Sequence, residues 1–279
     1  MRRRVDLGVF VGAAIAASSG CASLSSRPPP VAVRAAANAQ AADEVALLDG
    51  AHFSVAEPAD AIVRVVGPKM TCTGTLVADD RVLTAHHCVV ERGEHGEFLP
   101  KLVEPSVVEI ELGGDYLPWG TVGVRAIVAP PCGEAGGRGD VALLVLERKL
   151  VGMTPFPVRL EQPPVRGERL DPIGFGRCAA SPAGIRRRSR DGGLLDTLHS
   201  GTFDMSASVC PGDSGGPVLA RTTNAVVGVV SLSAMDSDES TAALSVMARI
   251  DAFRSMFVYA RAISDGADPA DLPPLSCDQ

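Results

Sequence analysis

Three short stretches carry residues that could do covalent chemistry together. Ser214 sits in Cys210-Pro211-Gly212-Asp213-Ser214-Gly215-Gly216-Pro217, His87 in Thr84-Ala85-His86-His87-Cys88, and Asp140 in Gly139-Asp140-Val141-Ala142-Leu143-Leu144. A serine hydroxyl is a weak nucleophile near neutral pH. It needs a base within hydrogen-bond reach, and the base needs a third group to fix its tautomer. Serine, histidine and aspartate can supply nucleophile, base and orienting carboxylate for acyl transfer. Gly212 lets the chain turn so that its N–H and that of Ser214 can converge on one point. Paired donors of that kind stabilise the oxyanion of a tetrahedral intermediate, each worth about 2.7–4 kcal/mol in other enzymes.

Taken singly, each stretch has an ordinary structural explanation. A Gly-Asp-Ser-Gly-Gly run is often just a turn, and Asp140 could cap the end of a strand. His86, His87, Cys88 and Cys72 could be a metal fragment, but their spacing matches no zinc pattern and adjacent histidines rarely chelate one ion. Chain order narrows the chemistry. The run around Ser214 also fits the G-x-S-x-G elbow of α/β-hydrolases, which requires an Asp and then a His after the serine. The five histidines are His52, His86, His87, His95 and His199, and none follows Ser214. Asp79 and Asp80 precede His87, as an Asp-His-Ser order would need, but nothing around Ser214 resembles subtilisin. The order His87, Asp140, Ser214 remains.

These three motifs in this order resemble the trypsin/chymotrypsin family of serine proteases, over the stretch from Leu47 to Ile263. The resemblance implies an all-β fold: two packed antiparallel six-stranded β-barrels, chymotrypsin-like, with a C-terminal α-helix. It implies a serine endopeptidase with His87, Asp140 and Ser214 as catalytic residues and Gly212 and Ser214 as the oxyanion hole. His87 is chosen over His86 because it directly precedes Cys88, as the catalytic histidine does in the family. By the same match Ser208, six residues before the nucleophile, lies at the base of the primary specificity pocket. Ser231, Leu232 and Ser233 form the strand that holds substrate extended. Ser208 carries no charge, so a neutral residue is expected before the cut. An acid from the loop holding Asp236, Asp238 and Glu239 would restore basic specificity. Asp213 matches the carboxylate that pairs with a new α-amino group after activation cleavage. Leu47-Leu48-Asp49-Gly50 resembles the mature N-terminus, which makes Leu47 the expected partner of Asp213. The family bridge beside the histidine implies a Cys72–Cys88 disulfide. The family's usual partner for Cys210 is missing, and Cys178 follows the Gly174-Phe175-Gly176 turn, which suggests Cys178–Cys210 and leaves Cys132–Cys277.

Composition and the N-terminus bear on the compartment. The chain has 279 residues and a formal charge of −7, which argues against general affinity for nucleic acid. Aromatic residues make up only 4%, so aliphatic side chains must fill much of the core. Met1-Arg2-Arg3-Arg4 and the short apolar stretch to Ala17 read as a signal peptide over residues 1–20, too short to span a bilayer comfortably. Small residues lead into Cys21, which resembles a bacterial lipoprotein signal; lipid on Cys21 is preferred to simple secretion, and an uncleaved anchor is a further alternative. Of seven cysteines, six remain if Cys21 is lipidated, an even number suited to an oxidising, extracytoplasmic compartment. Residues 21–46, rich in Ala and Pro, read as a tether or propeptide.

The protease-like domain is expected over 47–263. Barrel one covers about 47–150 and barrel two about 151–250. The helix is expected over 251–263, capped by Asp251, and a tail runs over 264–279. Strands of barrel two are expected at Leu170–Gly176, Ile185–Arg190, Gly201–Met205, Pro217–Leu219, Ala225–Ser231 and Leu244–Ile250. Arg186, Arg187, Arg188 and Arg190 read as a solvated basic face. No cofactor or metal is expected, and the expected partner is a protein or peptide substrate. A catalytically idle binding module and an esterase on the same fold are the alternatives.

Overall fold

A computed structural model describes residues 56–113, 117–131, 138–178, 186–233 and 243–276. Cys21, Leu47, Cys132, Cys277 and the loop holding Asp236, Asp238 and Glu239 lie outside these residues.

Barrel one closes from β1 (Ile62–Val66), β2 (Thr71–Ala78), β3 (Arg81–Thr84), β6 (Glu109–Leu112), β7 (Gly120–Val128) and β8 (Ala142–Leu146), in the spatial order β1-β2-β3-β8-β7-β6. Neighbouring strands are antiparallel throughout, with Thr84 opposite Ala142 where β3 meets β8. A sheet closed on itself leaves no free edge. A side hairpin, β4 (Val90–Arg92) with β5 (Phe98–Leu102), projects from the turn after β3.

Barrel two uses β9 (Arg169–Gly174), β11 (Gly193–Leu198), β12 (Thr202–Ala207), β13 (Pro217–Ala220), β14 (Ala225–Ser233) and β15 (Ala243–Arg249). Their order is β9-β11-β12-β15-β14-β13, and β13 pairs back onto β9 to close the ring. The fold is thus two closed six-stranded antiparallel barrels with one short C-terminal helix.

Burial follows the sequence pattern. Ala-Leu-Leu-Val-Leu of β8 is buried at every position, because one face looks into the barrel and the other is covered by the helix Arg254–Ser264. Met256, Ala260 and Ile263 form the buried stripe of that helix at i, i+4, i+7 spacing. Arg125 on β7 donates through Nη2 to the Ile263 carbonyl at 3.0 Å, and Ser264 donates to Asp80. Phe203 is the one aromatic among the largest fully buried side chains of the described residues; the others are Leu, Ile and Met.

Three expectations need correction. The strand expected over Ile185–Arg190 is within the described residues only the two-residue edge strand β10 (Arg188–Ser189), and the ring strand is β11. Gly192 and Gly193 hid β11, since glycine is depleted in strands. They are there because the chain passes close to its neighbours. A Cβ on Gly193 would lie 2.6 Å from the Ser206 carbonyl oxygen, and one on Gly192 would lie 2.1 Å from that of Leu170. Asp251 does not cap the helix. It accepts from Nε and Nη2 of Arg249 and belongs to a 3₁₀ turn, Asp251–Phe253, that precedes the helix. The basic run is not a solvated face either. Arg187 bonds the Ala59 carbonyl and Asp60, and Arg190 is buried.

Candidate active site

The β3–β8 pairing brings two loops to one end of barrel one. After β3 the chain makes a 3₁₀ turn, His86–Val89, closed by the Cys88 N–H on the Ala85 carbonyl at 3.2 Å. A disulfide joins Cys88 to Cys72 on β2, with Cα atoms 6.1 Å apart, and fixes the turn against the barrel wall. Just before β8, Gly139 takes φ +78, a conformation that favours glycine, and Asp140 follows it.

Asp140 is fully buried and holds the His87 residue at two points. Its Oδ1 accepts the His87 backbone N–H at 2.9 Å, and its Oδ2 lies 2.8 Å from His87 Nδ1. Ser231, from β14 of barrel two, also donates its hydroxyl to Oδ2. Burial pushes the Asp140 carboxyl up. The His87 ring, its charge, the Ser231 hydroxyl and the His87 N–H together outweigh burial and hold it below its ordinary value. A carboxylate on Nδ1 leaves Nε2 of His87 as the lone-pair nitrogen, free to act as a base. Phe98 of the side hairpin stands edge-on to the His87 ring, centroids 5.4 Å apart, and Arg92 lies over the other ring 4.0 Å from its centroid.

His86 points elsewhere. It is buried, and its Nδ1 has no hydrogen-bond partner among the described residues. Burial depresses its pKa; the nearby Asp140 charge works the other way, and that of His87 adds to the depression.

Ser214 reaches the same junction from barrel two. Its carbonyl accepts the Thr73 N–H of β2 at 2.9 Å, and Cys88 Sγ lies 3.8 Å from that oxygen. His87 and Ser214 are therefore neighbours across the seam between the barrels. Their side chains make no hydrogen bond to each other among the described residues, and such bonds in substrate-free enzymes are often long.

Ahead of Ser214, the Asp213 N–H closes on the Cys210 carbonyl at 2.9 Å, with Pro211 and Gly212 between them. Proline second and a positive-φ glycine third is the type II β-turn pattern, and Gly212 has φ +98. The Gly212 carbonyl is tied down by Thr73 Oγ1 at 2.7 Å, and the same hydroxyl accepts the Phe175 N–H at 3.0 Å. Neither the Gly212 nor the Ser214 N–H is taken within the described residues, so both can serve an oxyanion. Thr73 was not singled out from the sequence. Its position one residue after Cys72 was the available signal, because whatever follows that bridged cysteine must meet the Ser214 segment.

The remaining residues fall around this junction. Cys178 is bonded to Cys210, with Cα atoms 5.3 Å apart, so the second bridge closes directly behind the turn. Ser208 lies just past β12, its N–H on the Asp191 carbonyl at 3.3 Å. Ser231 and Leu232 lie on β14, Ser231 buried against Asp140 and Leu232 exposed; Ser233 ends that strand. Asp213 is fully buried and paired with Arg190, whereas Leu47 lies outside the described residues. Cys72, His87 and Cys88 present donor atoms within 4.8 Å of one another, but both sulfurs are spent in the disulfide and offer no thiolate to a metal.

A model of the trypsin family matches residues 54–257, which is most of the described chain. The chain belongs to the trypsin family. Among solved structures, this trypsin-family chain is similar to a thermostable serine protease from an extremophilic microorganism, with 22% identity over 75% of this chain and 99% of the other, at TM-score 0.58. It is similar to a Glu endopeptidase at 19% identity, covering 74% and 92% of the two chains, TM-score 0.59. It is also similar to a mutant of human heparin binding protein at 17% identity, covering 77% and 96%, TM-score 0.59. At these identities the likeness is one of fold.

Proposed function

We propose that this trypsin-family chain is an extracytoplasmic serine endopeptidase. The observation that carries the reading is Asp140, fully buried, holding both the ring and the backbone of His87 while Ser214 lies across the barrel seam. An idle binding module has no use for a buried, doubly bonded Asp–His pair beside two unpaired N–H groups.

In the reaction, Ser214 Oγ attacks the peptide carbonyl and His87 Nε2 takes its proton. The carbonyl oxygen, now an oxyanion, is met by the Gly212 and Ser214 N–H groups. His87 returns the proton to the leaving amine, giving an acyl-enzyme on Ser214. Water, deprotonated by the same nitrogen, then releases the acid. Asp140 stays ionised and steadies the imidazolium. The edge of β14 at Ser231–Ser233 holds the substrate extended, and Ser208 favours a neutral residue before the cut. Two disulfides support an oxidising compartment, and lipid on Cys21 would attach the protein to a membrane.

The test is reaction of the purified protein with a serine-directed phosphonate, followed by peptide mapping. Label on the peptide containing Ser214, absent in Ser214→Ala, is the expected result, together with a loss of about a millionfold in turnover of a peptide substrate. An unlabelled but cooperatively folded protein would favour the binding module suggested by the heparin-binding neighbour. Label with turnover of esters but not of peptides would favour the esterase.

A further inference from the structure

We infer that Arg190 is the positioning residue that organises the oxyanion turn of this chain. On this view it fills, from within the domain, the place that a freed N-terminal amine at Leu47 was expected to take. The site would then assemble without cleavage ahead of Leu47. The inference rests on the endopeptidase reading and deepens it.

Asp213 connects Arg190 to the chemistry. Its backbone lies between the two oxyanion donors, Gly212 and Ser214, so whatever fixes its side chain fixes them. A carboxylate has two oxygens and about four lone-pair sites. Here three of them accept hydrogen bonds, and a fourth contact is one of charge. Oδ1 accepts the Gly176 N–H at 2.8 Å and Nη2 of Arg190 at 2.9 Å. Oδ2 accepts the Cys210 N–H at 2.8 Å and has Nε of Arg190 at 2.7 Å, a close charge contact that is off the line of a hydrogen bond. Asp213 is 0% exposed and Arg190 8%, so each is the other's counter-charge inside the protein. Either alone would be an uncompensated buried ion.

The surroundings leave no space for a second cation on the Gly174–Gly176 side. A Cβ on Gly174 would lie 2.3 Å from Asp213 Oδ1, and one on Gly176 2.5 Å from its Cγ. Arg190 is itself held in place. Its N–H bonds the Pro172 carbonyl at 2.8 Å, Nη2 also donates to the Gly176 carbonyl, and Nη1 reaches Cys178 Sγ at 3.7 Å. Cys178 is bridged to Cys210, the first residue of the turn. One guanidinium thus braces the carboxylate, the Gly176 backbone just past β9 and the disulfide that frames the turn. A planar fork suits this task better than an ammonium group, which offers a point charge.

The test compares two forms of the chain, one retaining residues 22–46 and one beginning at Leu47. Each is made as wild type, Arg190→Lys and Arg190→Gln. Hydrogen exchange of a peptide spanning residues 208–216 reads the turn directly, whether or not the protein turns over substrate. Steady-state cleavage of a peptide amide gives kcat and KM. We expect the two wild-type forms to show equal protection and equal kcat. Arg190→Gln should lose protection in both forms and about a hundredfold in kcat with KM little changed, the pattern of a lost oxyanion contact. Arg190→Lys should fall between. A turn protected only in the chain that begins at Leu47, and indifferent to Arg190→Gln there, would overturn the inference. If Arg190→Gln does not fold, the wild-type comparison and Arg190→Lys still decide. If neither wild-type form cleaves anything while the turn is protected through Arg190, the endopeptidase reading falls and the role of Arg190 stands.

Discussion

Two adjacent histidines meet opposite fates within one 3₁₀ turn. His87 faces Asp140 and Phe98, while His86 is buried with an Nδ1 that has no partner among the described residues. We therefore expect His87→Ala to be as damaging to turnover as Ser214→Ala, and His86→Ala to retain substantial activity. Steady-state assays on the two variants check this, and a dead His86 variant beside an active His87 variant would reverse the assignment. Stability should respond in the other sense. Folding lowers the pKa of His86, mainly through burial, so at mildly acid pH the unfolded chain binds a proton that the folded chain refuses. The stabilising effect of keeping His86 neutral is complete above the unfolded value of about 6.5 and is lost as pH falls below it. Wild type should lose stability as pH falls from about 6.5 towards the lowered folded value, and His86→Ala should lose less, as read from denaturant midpoints. Asp140, also held below its ordinary value, has the same sign at lower pH. Its contribution is present above the ordinary carboxylate range and disappears as pH falls through the folded value.

Strands and turns carried less information in the sequence than the reactive residues did. The three motifs were legible because covalent chemistry tolerates few substitutes. Most barrel strands were legible from their apolar runs and turn signals. β11 was not, because its opening glycines answer to a neighbouring backbone rather than to local preference. The hairpin β4–β5 escaped because Phe98-Leu99-Pro100-Lys101-Leu102 contains a proline and is mostly exposed or half-buried. Arg190 looked like one of four surface arginines, since nothing local distinguishes a buried guanidinium from a solvated one. Thr73 escaped for a similar reason: its partners lie 102 and 139 residues away. That residue gives a test at this scale. Thr73→Val keeps the shape but leaves the Gly212 carbonyl and the Phe175 N–H without their partner. An unsatisfied buried group costs about 1–3 kcal/mol, so a fall in stability of that order is expected together with a lower kcat. Equal kcat in a destabilised variant would show that the hydroxyl braces the barrels without shaping the turn.

Across the whole molecule, the helix Arg254–Ser264 ties the two halves of the chain together. It follows the last strand of barrel two yet packs on β7 and β8 of barrel one. Met256 is 1% exposed there, and Met256→Ala should cost about 2–5 kcal/mol in a denaturation experiment, as large-to-small changes in cores do. The active-site groups need not move, so kcat below the melting temperature should be little changed. A stability loss near zero would mean that the helix is an ornament to barrel one.

That packing has a consequence for how the protein is made. His87 and Asp140 belong to the first half of the chain, and Ser214 to the second. The outer face of β8, two residues beyond Asp140, packs against the helix Arg254–Ser264. During synthesis the strands of the first barrel emerge well before that helix does. A chain interrupted between residues 146 and 254 therefore keeps its His–Asp pair on a barrel that lacks this helix. On the endopeptidase reading, a chain ending between Ser214 and residue 254 would hold all three reactive side chains and still lack the helix that packs on β8.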